Sequence, residues 1–156
     1  MKPRILSIRL ANRDDAAAIA AMSRDEIEKG LPWSWTESRV ARAIANPETN
    51  VIVAGPPGAL GGFGIMSYVD ADAHLLLFAV ARSQRRQGIG SALLDWLETV
   101  AREALVRRIR VECRRSNESA RNFYGEHGYF ESAIVHRYYR SIEDAIVLEK
   151  LLCPAT

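Results

Sequence analysis

Apolar residues change their spacing several times along this chain, and each change marks a predicted element. Residues 5–10, Ile-Leu-Ser-Ile-Arg-Leu, alternate as a strand does, and residues 12–15 offer capping side chains to an Ala-rich helical run over 16–22. Pro32 interrupts the chain beside Leu31, Trp33 and Trp35. A second helix over 36–45 then opens at Ser34 or Thr36 and closes at Asn46-Pro47. Residues 51–54 and 62–69 read as a hairpin around the Gly-Pro-Pro-Gly turn at 55–58, whose residues set turn geometry and stop pairing. The apolar run over 74–80 has strand length and little polar alternation, which predicts a central strand buried on both faces.

The pattern changes abruptly after that run. Residues 81–87 are polar and basic, and from Ile89 onward Leu93, Trp96, Leu97, Val100 and Ala104 recur at helical spacing, so a long helix starts at the glycines. Ile109, Val111 and Cys113 alternate with Arg108, Arg110, Glu112 and Arg114, a period of two that gathers the charged residues on one strand face. A short helix over 117–126, capped by Ser116 or Asn117 and ended near Gly128, precedes two strands at about 129–137 and 145–151. The order β-α-α-β-β-β-α-β-α-β-β gives an α/β chain, a mixed sheet with helices on its faces. Its one firm parallel crossover is the strand-helix-strand unit over 74–113.

Composition narrows the picture in three ways. A chain of 156 residues, 48% hydrophobic, fits one domain over 1–156 with a real core. A net charge of +2 argues against a strongly charged partner, so no direct nucleic-acid binding is expected, and the arginines at 107, 108, 110, 114 and 115 read as a charged strand edge or as ion pairs. Cys113 and Cys153 form neither a disulfide framework nor a metal motif, and no stretch approaches membrane-span length; a cytoplasmic protein without a metal is expected. Oligomeric state is left open.

The candidate chemistry begins at Arg85-Arg86-Gln87-Gly88-Ile89-Gly90-Ser91, between a buried strand and the first turn of a long helix. Backbone N–H groups are unpaired there and the helix dipole favours an anion; glycines keep side chains away from those amides, and Arg85 and Arg86 add charge at the rim. No Gly-Lys-Ser/Thr and no three-glycine fingerprint is present, which removes a nucleoside-triphosphate loop and a dinucleotide site. Glycines that merely let a strand turn into a helix remain the plain alternative.

Arg-x-x-Gly-x-Gly between strand and helix, then Asn117-Glu118-Ser119-Ala120-Arg121-Asn122-Phe123-Tyr124 and Gly128-Tyr129-Phe130, resembles the GCN5-related N-acetyltransferase (GNAT) superfamily over nearly the whole chain. Pro32-Trp33-Ser34, Val111-Glu112-Cys113-Arg114, Arg137-Tyr138-Tyr139 and Glu143-Asp144-Ala145 are similar to the bacterial ribosomal-protein-alanine N-acetyltransferases. The sequence departs from that pattern at Leu77, where asparagine is common, and at the Gly-Pro-Pro-Gly turn. The resemblance implies a central mixed, mostly antiparallel sheet flanked by about four helices. It also implies acetyl transfer from acetyl-CoA to an amine, with the N-terminal α-amine of a protein as first expectation and a lysine or small-molecule amine as the alternative.

By the same resemblance, Phe78, Ala79, Val80, Arg85, Arg86, Gln87, Gly88, Ile89, Gly90, Ser91 and Asn117 hold acetyl-CoA, Glu112 is the general base acting through water, and Tyr124 is the general acid. Asn117 and Tyr124, seven residues apart, would share one helix face. Each has a competing structural reading: Tyr124 beside Phe123 fits a core aromatic, and Glu112 between Arg110 and Arg114 fits ion pairs. His74, His127 and His136 are scattered and read as structural or exposed, and Trp33 and Trp35 either line an acceptor groove or simply pack. A CoA-binding module without turnover would need neither Glu112 nor Tyr124.

Overall fold

The computed structural model describes residues 7–85, 87–139 and 143–152. Its seven strands form one sheet in the order β1-β2-β3-β4-β5-β7-β6. They are β1 (Ile8–Leu10), β2 (Thr49–Ala54), β3 (Gly62–Val69), β4 (Asp72–Val80), β5 (Arg108–Arg114), β6 (Phe130–Tyr139) and β7 (Glu143–Leu151); the helices are α1 (Ala16–Met22), α2 (Glu37–Ala45), α3 (Ile89–Glu103) and α4 (Glu118–Glu126). Every pairing is antiparallel except β4 with β5, the predicted crossover through α3. β7 inserts between β5 and β6, a strand order that periodicity does not reveal.

Two apolar layers sandwich the sheet. On one face α3 buries Ile89, Leu93, Leu94, Leu97 and Ala101 against Leu75, Ile109, Val111, Ile146 and Leu148, together with Tyr124 and Tyr129. On the other, Ala16, Ile19 and Ala20 of α1 and Val40 of α2 cover Val51, Val53, Phe63, Ile65 and Leu77. The polar side of α3 carries one buried exception, Glu98, which accepts from Tyr129 Oη at 2.8 Å and Lys150 Nζ at 2.9 Å. Burial, and then the neighbouring carboxylate, push the Tyr129 phenol far up, so it stays a donor.

Local signals act as the sequence suggests at α2, where Thr36 rather than Ser34 is the cap and accepts from Arg39 N at 3.4 Å. A π turn, Ser23–Ile27, extends α1 and was not legible beforehand. β4 carries a bulge: Ile65 pairs with Leu77 and Met66 with Leu75, so Leu76 is an extra residue. Ala73 and Leu75 therefore face α3, whereas beyond the bulge Phe78 and Val80 do, and Leu77 and Ala79 turn to α1 and α2. The run over 74–80 is buried from both sides as expected, but its parity flips in the middle.

Candidate functional site

The bulge stands where the sheet opens. β4 and β5 pair only over Asp72–Leu75 with Arg108–Val111, although β4 runs on to Val80 and β5 to Arg114. The two strands keep β3 and β7 on their outer sides and diverge between them. A gap bordered by strand backbone presents N–H and C=O groups that call for a partner. Phe78, Ala79 and Val80 line one side of it; Glu112 begins the other.

The loop after β4 passes through a tight turn, Arg82–Gln84, and reaches Gly88, whose φ of 81° lies in the left-handed region that favours glycine. No side chain caps α3. The first bond across its end is Ala92 N to Gly88 O at 3.0 Å, so the amides of Ile89, Gly90 and Ser91 precede the helical ladder. A Cβ on Gly88 would meet nothing within 4 Å, which leaves the approach to those amides open. Gly90 has a different reason for being glycine: a Cβ there would lie 3.3 Å from the Phe123 ring and 3.4 Å from Val80, so α3 packs closely on α4 and β4. Ser91 Oγ lies 3.0 Å from His127 Nε2. Arg85 donates from Nε to Val80 O at 3.3 Å and from Nη2 to Glu26 Oε2 at 2.7 Å. Arg86 lies outside the described residues.

Glu112 does not simply sit among arginines. Its Oε2 is hydrogen-bonded by His74 Nε2, while Arg110 Nε approaches Oε1 at 3.4 Å. Arg108 instead binds Asp72 at 2.8 Å and Glu149 at 3.3 Å, and Arg114 donates to Ile27 O at 3.1 Å. β5 is central, which corrects the reading of these arginines as a strand edge; the ion-pair reading holds for Arg108, Arg110 and Arg115, the last 3.3 Å from Asp144. His74, read as structural or exposed, is the partner of the candidate base. Its parity places it with Glu112 on the α1 and α2 face, since Ala73, Leu75, Val111 and Cys113 all turn to α3. A cavity of about 200 Å³ lies beside it, lined by Ser67, Asp72, His74, Arg108 and Arg110 among others.

Tyr124 belongs to the opposite face. It is 4% exposed, with ring centroids 5.4 Å from Phe123, 5.5 Å from Tyr129 and 6.3 Å from Phe78. Asn117 is the N-cap of α4, its side chain accepting from Ala120 N at 3.0 Å, and it is exposed. The shared helix face expected for Asn117 and Tyr124 thus gives way to a cap at the helix entrance and a ring in the core.

Two carboxylates missed in the sequence frame the site from the α1 side. Glu28, 7% exposed, accepts from Ser34 N at 2.8 Å, Ser34 Oγ at 2.6 Å, Ser23 Oγ at 3.1 Å and Trp35 N at 3.3 Å. It pins the Pro-Trp segment. Trp35 packs on the α1 and α2 core with Arg39 3.9 Å over its ring, whereas Trp33 is 43% exposed. In sequence, Asp25-Glu26-Ile27-Glu28 reads as an ordinary solvated run, and nothing in it marks the buried carboxylate.

Residues 19–129 match the Acetyltransferase (GNAT) family, and the chain belongs to that family. An uncharacterised N-acetyltransferase of Methanocaldococcus jannaschii is 36% identical over 99 residues, 63% of this chain and 64% of that one. The ribosomal protein bS18-alanine N-acetyltransferase of Escherichia coli is 34% identical over 94 residues, 58% of this chain and 64% of that one. The chain thus spans just under two thirds of both relatives in these matches. The crystal structure of the ribosomal-protein-S18-alanine N-acetyltransferase from Escherichia coli superposes with a TM-score of 0.79 at 27% identity, covering 96% of each chain. Ard1 from Thermoplasma volcanium gives 0.84 at 25% identity, covering 96% of this chain and 99% of that one. Among the described residues no helix is long and apolar enough to cross a membrane, and no group of three metal-ligating side chains forms.

Proposed function

We propose that the chain transfers the acetyl group of acetyl-CoA to the N-terminal α-amine of a protein. The observation that carries this reading is the placement of proton-handling groups on the two faces of the β4–β5 gap: Glu112 and His74 on the α1 and α2 face, and Tyr124, beside Phe78, on the α3 and α4 face. The uncapped amides at α3 and the unpaired strand edges in the gap suit a ligand with a phosphate end and an amide-bearing arm. When bound, acetyl-CoA supplies an activated thioester acetyl group.

The chain's own residues then divide the work. The amides of Ile89, Gly90 and Ser91 hold phosphate oxygens, and Phe78, Ala79 and Val80 align the arm along β4. Glu112 takes a proton from the attacking amine, directly or through water, while His74 fixes the carboxylate through its Nε2–H. Tyr124 keeps a phenolic proton available to the leaving sulfur. Its burial serves packing as well, so the core reading and the catalytic one describe the same residue.

An α-amine suits a modest base. Its ordinary pKa lies about 2.5 units below that of lysine, so freeing its lone pair at neutral pH costs about 3.4 kcal/mol less. The name of the Escherichia coli relative, an alanine N-acetyltransferase of ribosomal protein bS18, supports the same acceptor class. Thiol release from acetyl-CoA with peptides whose N-terminus is free or blocked tests the proposal. Turnover confined to the free N-terminus is expected; equal turnover on a blocked peptide carrying lysine would overturn it.

A further inference from the structure

Three consecutive residues at the end of α1 each hold a different part of the site. Glu26 binds Arg85 of the cofactor loop at 2.7 Å and Arg82 at 3.5 Å; Ile27 O accepts from Arg114, two residues beyond Glu112, at 3.1 Å; Glu28 binds Ser34 and Trp35. The π turn provides this reach, because its extra residue per turn rotates successive side chains away from α-helical positions. Glu26 is drawn well in, its side chain 14% exposed, whereas Arg82 and Arg85 are 67% and 50% exposed.

We infer that Glu26 is a positioning residue for the cofactor loop, holding Arg85 so that the α3 amides are aimed before the phosphates arrive. Arg82, Ser83, Arg85, Gln87 and Gly88 are all exposed, so little packing fixes the loop. Arg85 spans it like a strut, with Nε on Val80 O at the end of β4 and Nη2 on Glu26 of the π turn. Without the carboxylate that strut loses its far anchor, and the loop must be ordered at the expense of binding energy. Glu26 touches no group assigned to proton transfer, so its removal weakens binding and leaves the chemical step alone. Through Glu28 two residues on, the same turn sets the Pro-Trp segment, which places the two substrate sides on one rigid piece.

The inference rests on reading residues 85–91 as the phosphate cradle, and the experiment separates the two. Calorimetric affinities for acetyl-CoA and for S-acetylpantetheine, which lacks the pyrophosphate, are compared in the wild type, Glu26→Gln, Glu26→Ala, Arg85→Ala and the Glu26→Ala/Arg85→Ala pair. Glu26→Ala is expected to weaken acetyl-CoA about tenfold, on the order of one lost charge-assisted contact, with kcat within about twofold. Glu26→Gln, which still accepts from Arg85, falls between. S-acetylpantetheine affinity stays the same, and Glu26→Ala adds little once Arg85 is gone. Unchanged or tighter acetyl-CoA binding in Glu26→Ala overturns the positioning role, as does a full additional loss in the double variant. A wild type that binds acetyl-CoA no better than S-acetylpantetheine overturns the cradle itself. Melting temperatures taken alongside identify a variant that lowers affinity merely by unfolding.

Discussion

Replacing Glu28 with Ala is the sharpest probe of how the Pro-Trp segment, proposed here as the acceptor side, is built. The wild-type carboxylate, almost fully buried, accepts from Ser34 twice, from Ser23 and from Trp35. Hydrogen bonds to a charged acceptor contribute about 1.5–3 kcal/mol each in mutational series. They do not sum here: Ser34 and Trp35 are half-buried, so their donors turn to water, while the fully buried Ser23 hydroxyl stays unpaired. A net loss of roughly 2–4 kcal/mol follows, which for a chain of this length lowers Tm by roughly 5–15 °C. Glu28→Gln retains one carbonyl acceptor and should lose about half as much. Thermal melts followed by circular dichroism give the stability, and acceptor KM at a temperature where the variant is folded gives the function. KM for the acceptor should rise because Trp33 and Ser34 are no longer fixed. A Tm change under about 2 °C with unchanged acceptor KM would refute the assignment of Glu28 as the anchor of this segment.

Tyr124→Phe keeps the ring among Phe78, Phe123 and Tyr129 while removing the hydroxyl, so kcat should fall about a hundredfold or more at near-constant Tm; a fall below tenfold would make the residue positional. Gly88→Ala places a methyl group where nothing else stands and strains a φ of 81°, so acetyl-CoA affinity measured by calorimetry should drop at least about tenfold for roughly 1 kcal/mol of stability. Asp15 is held below the ordinary aspartate value of 3.8, first by the Arg9 guanidinium at 2.8 and 2.9 Å, against the opposing effect of burial, and then by the Asn12 amide. A lowered folded pKa contributes stability above 3.8 that is lost as pH falls through the folded value. The Tm difference between wild type and Asp15→Asn should therefore be constant near neutrality and shrink below pH 3.8.

The element order was legible because the apolar period of the main strands and helices matched their final state, from the hairpin around Gly55–Gly58 to the α3 stripe over Ile89, Leu93 and Leu97. Lateral strand order was not, because β5, β6 and β7 carry no local mark of who pairs with whom, and so the arginines of a central strand looked like an edge. The strand-to-helix loop proposed here to hold the cofactor was legible as a loop from position and composition, yet Gly90 is glycine for its contact with Phe123 as well. His74 was read as structural or exposed because its meeting with Glu112, 38 residues away, depends on the parallel register of β4 on β5. Glu26 and Glu28 escaped because a π turn, invisible to a 3.6-residue period, carries them inward.

Glu112, paired with His74 on the α1 and α2 face of the gap, is proposed to remove the proton of an α-amine. The pH dependence of kcat/KM in wild type and Glu112→Gln, with one free N-terminal peptide as acceptor, tests it most directly. An α-amine titrates at about 7.7–8.0, so a variant without the base should be depressed about a hundredfold or more near pH 7 and regain rate as pH passes that range and the amine sheds its own proton. Profiles for the two enzymes that run parallel across that range, with less than about tenfold between them, would contradict the claim and leave Glu112 as an ion-pair partner of Arg110 and His74.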